Sequence, residues 1–154
     1  VRDRLAHLSD PRTRSVALVV AEVAIGETIS MAMFRESRRV ATEPLTRAAI
    51  ESILADESRH QQLGWDALAA LGPGDDVQRE ATLGLAASEQ QIAVPALRFL
   101  EAGQAFDPAW AALGVVEPGR RVDAFYTAVE QLVIPKLDQL GLDGARAWSY
   151  RYRA

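Results

Sequence analysis

The sequence predicts an all-α protein, an antiparallel four-helix bundle with a short C-terminal helix. Apolar residues recur at helical spacing along four long segments, and no segment alternates apolar and polar residues as a half-buried strand would. Aromatic content is only 6%, which suits closely packed helices. With 154 residues, 49% hydrophobic content and 25% charged residues, we expect one soluble domain over residues 1–154.

Turn and capping residues bound the first two helices. Ser9-Asp10-Pro11 is a typical helix start, and it predicts a first helix over about residues 13–39. Thr42-Glu43-Pro44 places an N-cap residue before a proline and opens a second helix. This helix is expected to end at about Leu71, because a Gly-Pro-Gly turn follows it.

The second half of the chain contains two further long helices. One of two aspartates is expected to cap the third helix, over about residues 75–102. A connection over residues 103–119 is expected to cover one end of the bundle, and a fourth helix follows over about residues 120–140. Asp143 can cap a short terminal helix, whose aromatic residues, interleaved with arginines, are expected to dock against the bundle or a partner subunit. These aromatic residues are Trp148, Tyr150 and Tyr152.

Charge and composition exclude several classes of protein. The net charge of −4 argues against nucleic-acid binding. The apolar run over residues 16–25 is short and contains Glu22, so we expect no membrane span. The absence of cysteine leaves the compartment undecided, with the cytoplasm as our working expectation. Because the chain begins at Val1 instead of Met, we expect a processed N-terminus or a segment of a longer chain.

The most informative motif is Glu57-Ser58-Arg59-His60 in the second helix. Glu57 and His60 are three residues apart, so both side chains leave the same face of a helix. A carboxylate beside an imidazole can bind one iron or manganese ion while the carboxylate bridges to a second ion. A Glu-x-x-His pair alone carries little information, because it also arises by chance in soluble helices.

The surroundings of this motif strengthen the metal hypothesis. Glu57 and His60 fall within an otherwise apolar stripe of the second helix, and Glu27 takes a core position in a stripe of the first helix. Buried carboxylates are costly without partners, and a metal ion would serve as a partner for all three side chains. The stripes contain Ile50, Ile53, Gly64 and Leu68, and Val16, Val20, Val23, Ser30 and Phe34.

Two runs of residues resemble the ferritin-like domain superfamily. The first is Ala21-Glu22-Val23-Ala24-Ile25-Gly26-Glu27-Thr28, and the second is Asp56-Glu57-x-Arg59-His60-x-x-Leu63-x-Trp65. The sequence is most similar to bacterial ferritin-like domain proteins that pair a Gly-Glu-Thr helix with an Asp-Glu-x-Arg-His helix. The strong part of the resemblance covers about residues 16–71. In that superfamily, two helices each supply one Glu and the other two each supply a Glu-x-x-His.

The resemblance implies a set of metal ligands. Glu27, Glu57 and His60 would bind metal, and Asp56 would hold a ligand imidazole through its distal N–H, with Arg59 also in the outer shell. Glu22 is an alternative to Glu27.

Glu22 and Glu27 are five residues apart, so on an α-helix the two cannot share one face. The hairpin turn near residues 41–44 leads us to prefer Glu27.

A weak internal repeat extends the ligand set to the later helices. Ala86-Ala87-Ser88-Glu89 echoes the residues that end at Glu27, and Ala128-Val129-Glu130 echoes those that end at Glu57. Glu89 and Glu130 would then complete the set of carboxylates, although Val133 stands where the second Glu-x-x-His needs its His. Both glutamates precede prolines expected to form a matched pair of helix kinks, Pro95 and Pro135.

The missing His leaves three hypotheses open. In the first, one chain binds metal through all five ligands. In the second, only Glu27, Glu57 and His60 bind, and a preceding helix pair or a second subunit supplies the other half of the site. In the third, the domain has lost its metal and acts as a helical binding or assembly module. We therefore expect a homo-oligomer or a partner subunit.

The activity implied by the resemblance is redox chemistry at the metal. Two iron ions, or manganese, would react with oxygen, peroxide or iron(II), as in di-iron oxidoreductases of the oxidase, peroxidase or oxygenase type. The sequence identifies no catalytic side chain and no substrate. The absence of cysteine excludes a rubredoxin-type centre and an iron–sulfur cluster, so electrons would come from an external donor. Trp65 and Tyr126 could conduct electrons, although packing is the commoner role.

Overall fold

The computed structural model describes residues 7–153, and it is helical without a strand in that range, which confirms the all-α prediction. Val1, on which the expectation of a processed or longer chain depends, lies outside the described residues. Six helices follow one another from Pro11 onward. They are α1 (Pro11–Val40), α2 (Pro44–Leu71), α3 (Asp75–Glu101), α4 (Ala109–Ala112), α5 (residues 118–139) and α6 (Gly144–Tyr150), which continues as a short 3₁₀ turn.

Three helices begin with the same local signal, an acidic residue followed by proline. The carboxylates of Asp10, Glu43 and Glu117 each accept a hydrogen bond from the backbone N–H three residues later, at 2.7, 2.6 and 3.0 Å. The proline that follows has the backbone φ that a first helical turn needs, and the N–H that it lacks would have had no partner there. These caps fix the starts of α1, α2 and α5. Helix α5 begins at Pro118, two residues before the predicted start at residue 120, because the capping role of Glu117 was not recognised from the sequence.

Helix α1 changes its hydrogen-bond pattern in the middle. Its central segment, Leu18–Gly26, is a π-helix between two α-helical segments. At its end the backbone N–H of Glu27 donates to the carbonyl oxygen of Glu22, five residues earlier. Such π segments are rare, and they are frequent at functional sites. The helix therefore departs from the 3.6-residue periodicity over Leu18–Gly26 and returns to it at Glu27.

Helix α5 contains a second π segment, Val129–Val133, which ends before Pro135. Proline has no N–H to donate, and its ring clashes with the carbonyl group four residues earlier, so a wider turn accommodates it. Helix α3, in contrast, stays α-helical through Pro95. The two prolines are therefore not the matched pair that the sequence suggested.

Helix α1 is at the centre of the packing. It contacts α2, α3 and α5, while α3 also packs against α5 and α6, and the main contacts of α2 are with α1. As a result, much of α2 is exposed, including Leu45 and Leu63, which are 77% and 63% exposed. The core lies mainly between α1, α3 and α5, and α2 adds Trp65 and Leu68 to it. Its largest fully buried apolar side chains are Phe125, Ile25, Ile29, Leu68, Leu85 and Leu137.

Two glycines allow the neighbouring helices to approach α1 closely. A Cβ on Gly64 of α2 would lie 2.3 Å from the carbonyl oxygen of Val23, and a Cβ on Gly84 of α3 would lie 2.9 Å from the Cα of Ala21. Both contacts are with the π-helical part of α1. The backbones of three helices therefore come together next to Glu27.

The connection between α3 and α5 is tied to the turn between α1 and α2. The backbone N–H groups of Thr42 and Glu43 both donate to the carbonyl oxygen of Ala112, at 3.1 and 3.0 Å. Phe106 packs edge-on against Trp110, with 5.7 Å between ring centroids. The connection therefore covers that end of the molecule, as its composition predicted.

Helix α1 has the length and apolar composition that a membrane-spanning helix requires. Over its most apolar 18 residues the mean hydropathy is 1.8, and half of that window is buried within the molecule. The buried core helix of a soluble protein and a signal sequence meet the same criterion, so this composition is weak evidence for a span.

The close approach of α2 to α1 predicts that Gly64→Ala destabilises the protein. The new methyl group would meet backbone atoms, so the helices must separate, at a cost of about 1 to 3 kcal/mol. Thermal and urea unfolding measure this loss. Gly74→Ala is the matched control, because its nearest atom is the flexible Asp76 carboxylate and its φ of −171° suits any residue. Equal stability of the two variants would contradict the close packing of α1 and α2.

Candidate metal centre

Glu27, Glu57 and His60 lie together on the facing sides of α1 and α2. The Nδ1 atom of His60 is 2.9 Å from Oε2 of Glu57. Glu57 also shares a hydrogen bond with Glu27, across the two helices. Glu57 is partly buried and His60 is more open, with 25% and 58% of their side chains exposed. The three residues that the resemblance implied as ligands therefore form one cluster.

The three side chains of the cluster differ in the direction of their pKa shifts. Burial, followed by the hydrogen bond to Glu57 and the charge of Glu57, raises the pKa of Glu27. The hydrogen bond from His60 lowers the pKa of Glu57, and the same bond raises the pKa of His60 above its ordinary value of 6.5. Burial and the neighbouring Glu57 carboxylate therefore disfavour the ionised form of Glu27.

The side chains of this cluster belong to the types that bind divalent metal ions. Two carboxylates and an imidazole suit iron or manganese, and a cation would relieve the repulsion between Glu27 and Glu57. In the metal-free arrangement the side chains are hydrogen bonded to one another. No three acidic or histidine side chains surround a common point within residues 7–153. A bound ion would therefore replace the hydrogen bond between His60 and Glu57.

Thr28 fixes the position of Glu27 relative to α2. Its buried hydroxyl group donates to the carbonyl oxygen of Ala24 at 2.7 Å. The same oxygen accepts hydrogen bonds from Trp65 Nε1 at 2.8 Å and from Gln61 Nε2 at 3.1 Å. Gln61 directly follows His60, so one hydroxyl group links the residues beside Glu27 and His60. The sequence signal for this role was the threonine of the Gly-Glu-Thr run.

Three other predicted residues, Asp56, Arg59 and Trp65, lie on α2 near the cluster. The negative charge of Asp56 helps to raise the pKa of His60, but Asp56 is exposed and makes no hydrogen bond to His60 in the described part of the chain. Arg59 is exposed, and no ion pair involves it within residues 7–153. Trp65 is only 4% exposed and belongs to the apolar core.

Glu89 belongs to a different network. It is 3% exposed, and its Oε2 lies 2.9 Å from the Nε atom of Arg151 in the 3₁₀ turn after α6. The hydroxyl group of Tyr126 donates to its Oε1 at 3.0 Å, and burial together with this bond raises the pKa of Tyr126 to about 12. The guanidinium of Arg151 lies over the ring of Trp148, at 3.3 Å from its centroid. This network docks the C-terminal segment against α3, as the first of the two expectations for it stated.

Glu130 and Val133 also depart from the predicted arrangement. Glu130 is exposed on the π segment of α5, whereas Val133 is fully buried among apolar side chains such as Phe125 and Leu137. The structure does not bring Glu89 or Glu130 to the Glu27 cluster. The internal repeat misplaced them because it assumed a uniform helical register and could not include the contact between Arg151 and Glu89.

Glu22 and Glu27 share one face of α1, so the prediction that they cannot do so was wrong. Both line a cavity of about 130 Å³ between α1 and α3. The π segment is the reason, because its hydrogen bonds reach five residues back and place Glu22 about one turn from Glu27. The choice between the two residues as ligands is therefore not exclusive.

No family model, curated protein or solved structure matches this chain significantly. The resemblance to the ferritin-like superfamily therefore depends on the sequence motifs alone.

The hydrogen bond between His60 and Glu57 predicts an elevated histidine pKa in the metal-free protein. Because Glu57 stabilises the imidazolium, Glu57→Gln should lower the pKa of His60 toward its ordinary value of 6.5. An NMR titration of the histidine ring measures this change, and Glu51→Gln, on an exposed residue of the same helix, is the control. The pair contributes its full stability between the ordinary pKa values of 4.5 and 6.5, and loses it above and below that range. An unchanged His60 titration would contradict the contact.

Proposed function

We propose that this protein is a ferritin-like metal-binding protein that holds iron or manganese through Glu27, Glu57 and His60. The observation that carries the proposal is the hydrogen-bonded series of these three side chains across α1 and α2. Their spacing in sequence follows the superfamily pattern, and their contact in space needs two separate helices to pack in one register. A chance Glu-x-x-His on a solvated helix would have no reason to meet a carboxylate of another helix.

The arrangement of the long helices is compatible with this proposal. Helices α1, α2, α3 and α5 are the four long elements, as an antiparallel four-helix bundle of the ferritin-like type requires. Glu27 and the Glu57–His60 pair come from two of them. This is one half of the superfamily's ligand set, so the second of the three sequence hypotheses is favoured over the first. The other ligands of a two-ion site would come from outside this cluster, and a partner subunit is one source.

A bound iron or manganese ion would supply redox chemistry with oxygen, peroxide or iron(II), which makes an oxidoreductase the proposed class of enzyme. The three proposed ligands would position the ion and offset its charge. Glu27 and Glu57 would bind as carboxylates, and His60 would bind through a neutral nitrogen. Electrons would arrive from an external donor, because the chain has no cysteine.

The ligand assignment predicts that Glu57→Ala and His60→Ala each sharply reduce bound metal. Helical circular dichroism should persist, because the stability of the helices resides mainly in their apolar contacts. Iron and manganese are counted per chain after anaerobic loading, with Glu51→Ala and His7→Ala as matched controls on exposed residues. Undiminished metal in both site variants would overturn the assignment. A wild-type protein that takes up no metal would favour the metal-free binding or assembly module.

Val133→His tests the one-chain hypothesis directly. Val133 is fully buried in the apolar core, so an imidazole there should cost about 1 to 3 kcal/mol through shape mismatch and desolvation. Iron(II) should not restore the lost stability, because Val133 lies in the apolar core and not in the Glu27 cluster. Thermal melts with and without iron(II) measure this. Recovery on adding iron would instead return Glu89 and Glu130 to the ligand set.

A further inference from the structure

A groove with a volume of about 680 Å³ lies between α3 and the C-terminal segment. This volume falls within the range of roughly 300 to 1,000 Å³ that is usual for small-molecule pockets. None of the three proposed metal ligands lines the groove, so a ligand there would be independent of the proposed function. Its charged and apolar lining residues are Asp75, Arg79 and Leu83 of α3, Arg146 and Tyr150 of α6, and Arg153 of the 3₁₀ turn.

Two hydrogen bonds hold α6 against α3 at this groove. The Nε2 atom of Gln78 donates to the carbonyl oxygen of Asp143 at 2.9 Å, and the backbone N–H of Asp143 donates to Oε1 of Gln78 at 2.8 Å. Asp143 also caps α6, because its carboxylate accepts a hydrogen bond from the backbone N–H of Arg146. Gln78 directly precedes Arg79 in α3. The same contacts therefore bring Arg79 and Arg146, which are distant in sequence, to one groove.

The ring of Tyr150 holds two guanidinium groups at the groove. The Cζ atoms of Arg146 and Arg153 lie 5.7 and 5.1 Å from the centroid of this ring. Both distances are within the range of about 6 Å over which a cation is attracted to an aromatic face. The contact restricts the side chains of both arginines before any ligand binds. A ligand therefore meets a smaller entropic cost of ordering them.

The positive charge of the groove is largely without an acidic partner. Arg146 and Arg153 form no ion pair among residues 7–153. Arg79 lies 3.5 Å from the buried carboxylate of Glu80, which is a long contact for an ion pair. Among the described residues, Asp75 is the one acidic side chain that lines the groove. Guanidinium groups therefore outnumber carboxylates there by three to one, in a chain whose net charge is −4.

We infer that the groove between α3 and α6 binds a small organic phosphate monoester through Arg79, Arg146 and Arg153. A guanidinium group presents paired N–H donors that match two oxygens of a phosphate group. A phosphate monoester carries about 1.5 to 2 negative charges at neutral pH, which matches the excess of arginines over Asp75. Leu83 and Tyr150 line the same groove and offer apolar surface to the organic part of the ligand.

A phosphorus NMR titration with phenyl phosphate, which combines a phosphate monoester with a ring, tests the site. We expect saturable binding by the wild-type protein. Arg146→Gln and Arg153→Gln should each weaken it by about 10-fold, the effect of losing one charge-assisted hydrogen bond. Arg121→Gln is the matched control, because Arg121 is also exposed and unpaired within residues 7–153 and lies outside the groove. Wild-type affinity in both groove variants, or no binding by the wild-type protein, would overturn the inference.

Asp75→Asn is a variant in which the affinity should rise. It removes the carboxylate that repels a phosphate group from the groove, and a gain of affinity cannot result from misfolding. The same titration with phenyl phosphate measures the change. Asp123→Asn, on an exposed residue of α5 outside the groove, is the matched control and should bind as the wild-type protein does. An affinity of Asp75→Asn at or below that of the wild-type protein would contradict the inference.

Two further probes identify the source of the phosphate group. Inorganic phosphate has the charge but no organic part, so it should bind more weakly than phenyl phosphate at the same ionic strength. Equal affinity for the two would overturn the organic part of the ligand. Phosphatidylcholine vesicles that contain phosphatidate present the same monoester on a membrane. Sedimentation of the protein with these vesicles, without binding of phenyl phosphate, would overturn the soluble ligand and assign the arginines to a lipid surface.

Discussion

The contact of two helices with the π segment of α1 is the constraint on which the rest of the structure depends. Gly64 and Gly84 bring the backbones of α2 and α3 against this segment, at distances that no side chain would permit. The close approach places α2 so that Thr28 can bind Trp65 and Gln61. Only in this register do Glu27 and Glu57 meet. The polar cluster is therefore a consequence of backbone packing next to it.

Glu89 and Glu27 are stabilised in different ways. Glu89 is neutralised within the chain by Arg151 and is also bound by Tyr126, so its charge is satisfied without an external ligand. Glu27 has no guanidinium or ammonium partner in the described residues, and its raised pKa reflects burial beside another carboxylate. Natural proteins place such energetically unfavourable groups at functional sites. The contrast explains why Glu27, and not Glu89, is the better candidate for a cation ligand.

Helix boundaries could be read from the sequence because they depend on local chemistry. Prolines after Asp10 and Glu43, and the glycines after Leu71, act within a few residues, and the structure places α1 and α2 where they indicated. The pairing of Glu57 with His60 is also local, since three residues separate them. These features need no knowledge of the tertiary structure.

The parts that sequence could not give depend on tertiary contacts or on a change of helical period. The π segment of α1 reverses the conclusion about Glu22 and Glu27, and periodicity analysis contains no signal for it. The ion pair between Glu89 and Arg151 joins residues 62 positions apart. A repeat of short sequence motifs contains no information about the π segment or about this ion pair.

The one-sided packing of α2 has a consequence for dynamics. Because its main contacts are with α1, α2 is held on fewer sides than α1 or α3, and we expect a local opening of the molecule to separate α2 first. Such an opening would carry Glu57 and His60 away from Glu27. The ligands of the proposed ion are thus divided between an anchored helix and a detachable one. The measured affinity for the ion would then include the free energy of packing α2 against α1. Metal occupancy would therefore depend on the fraction of molecules in which α2 is packed.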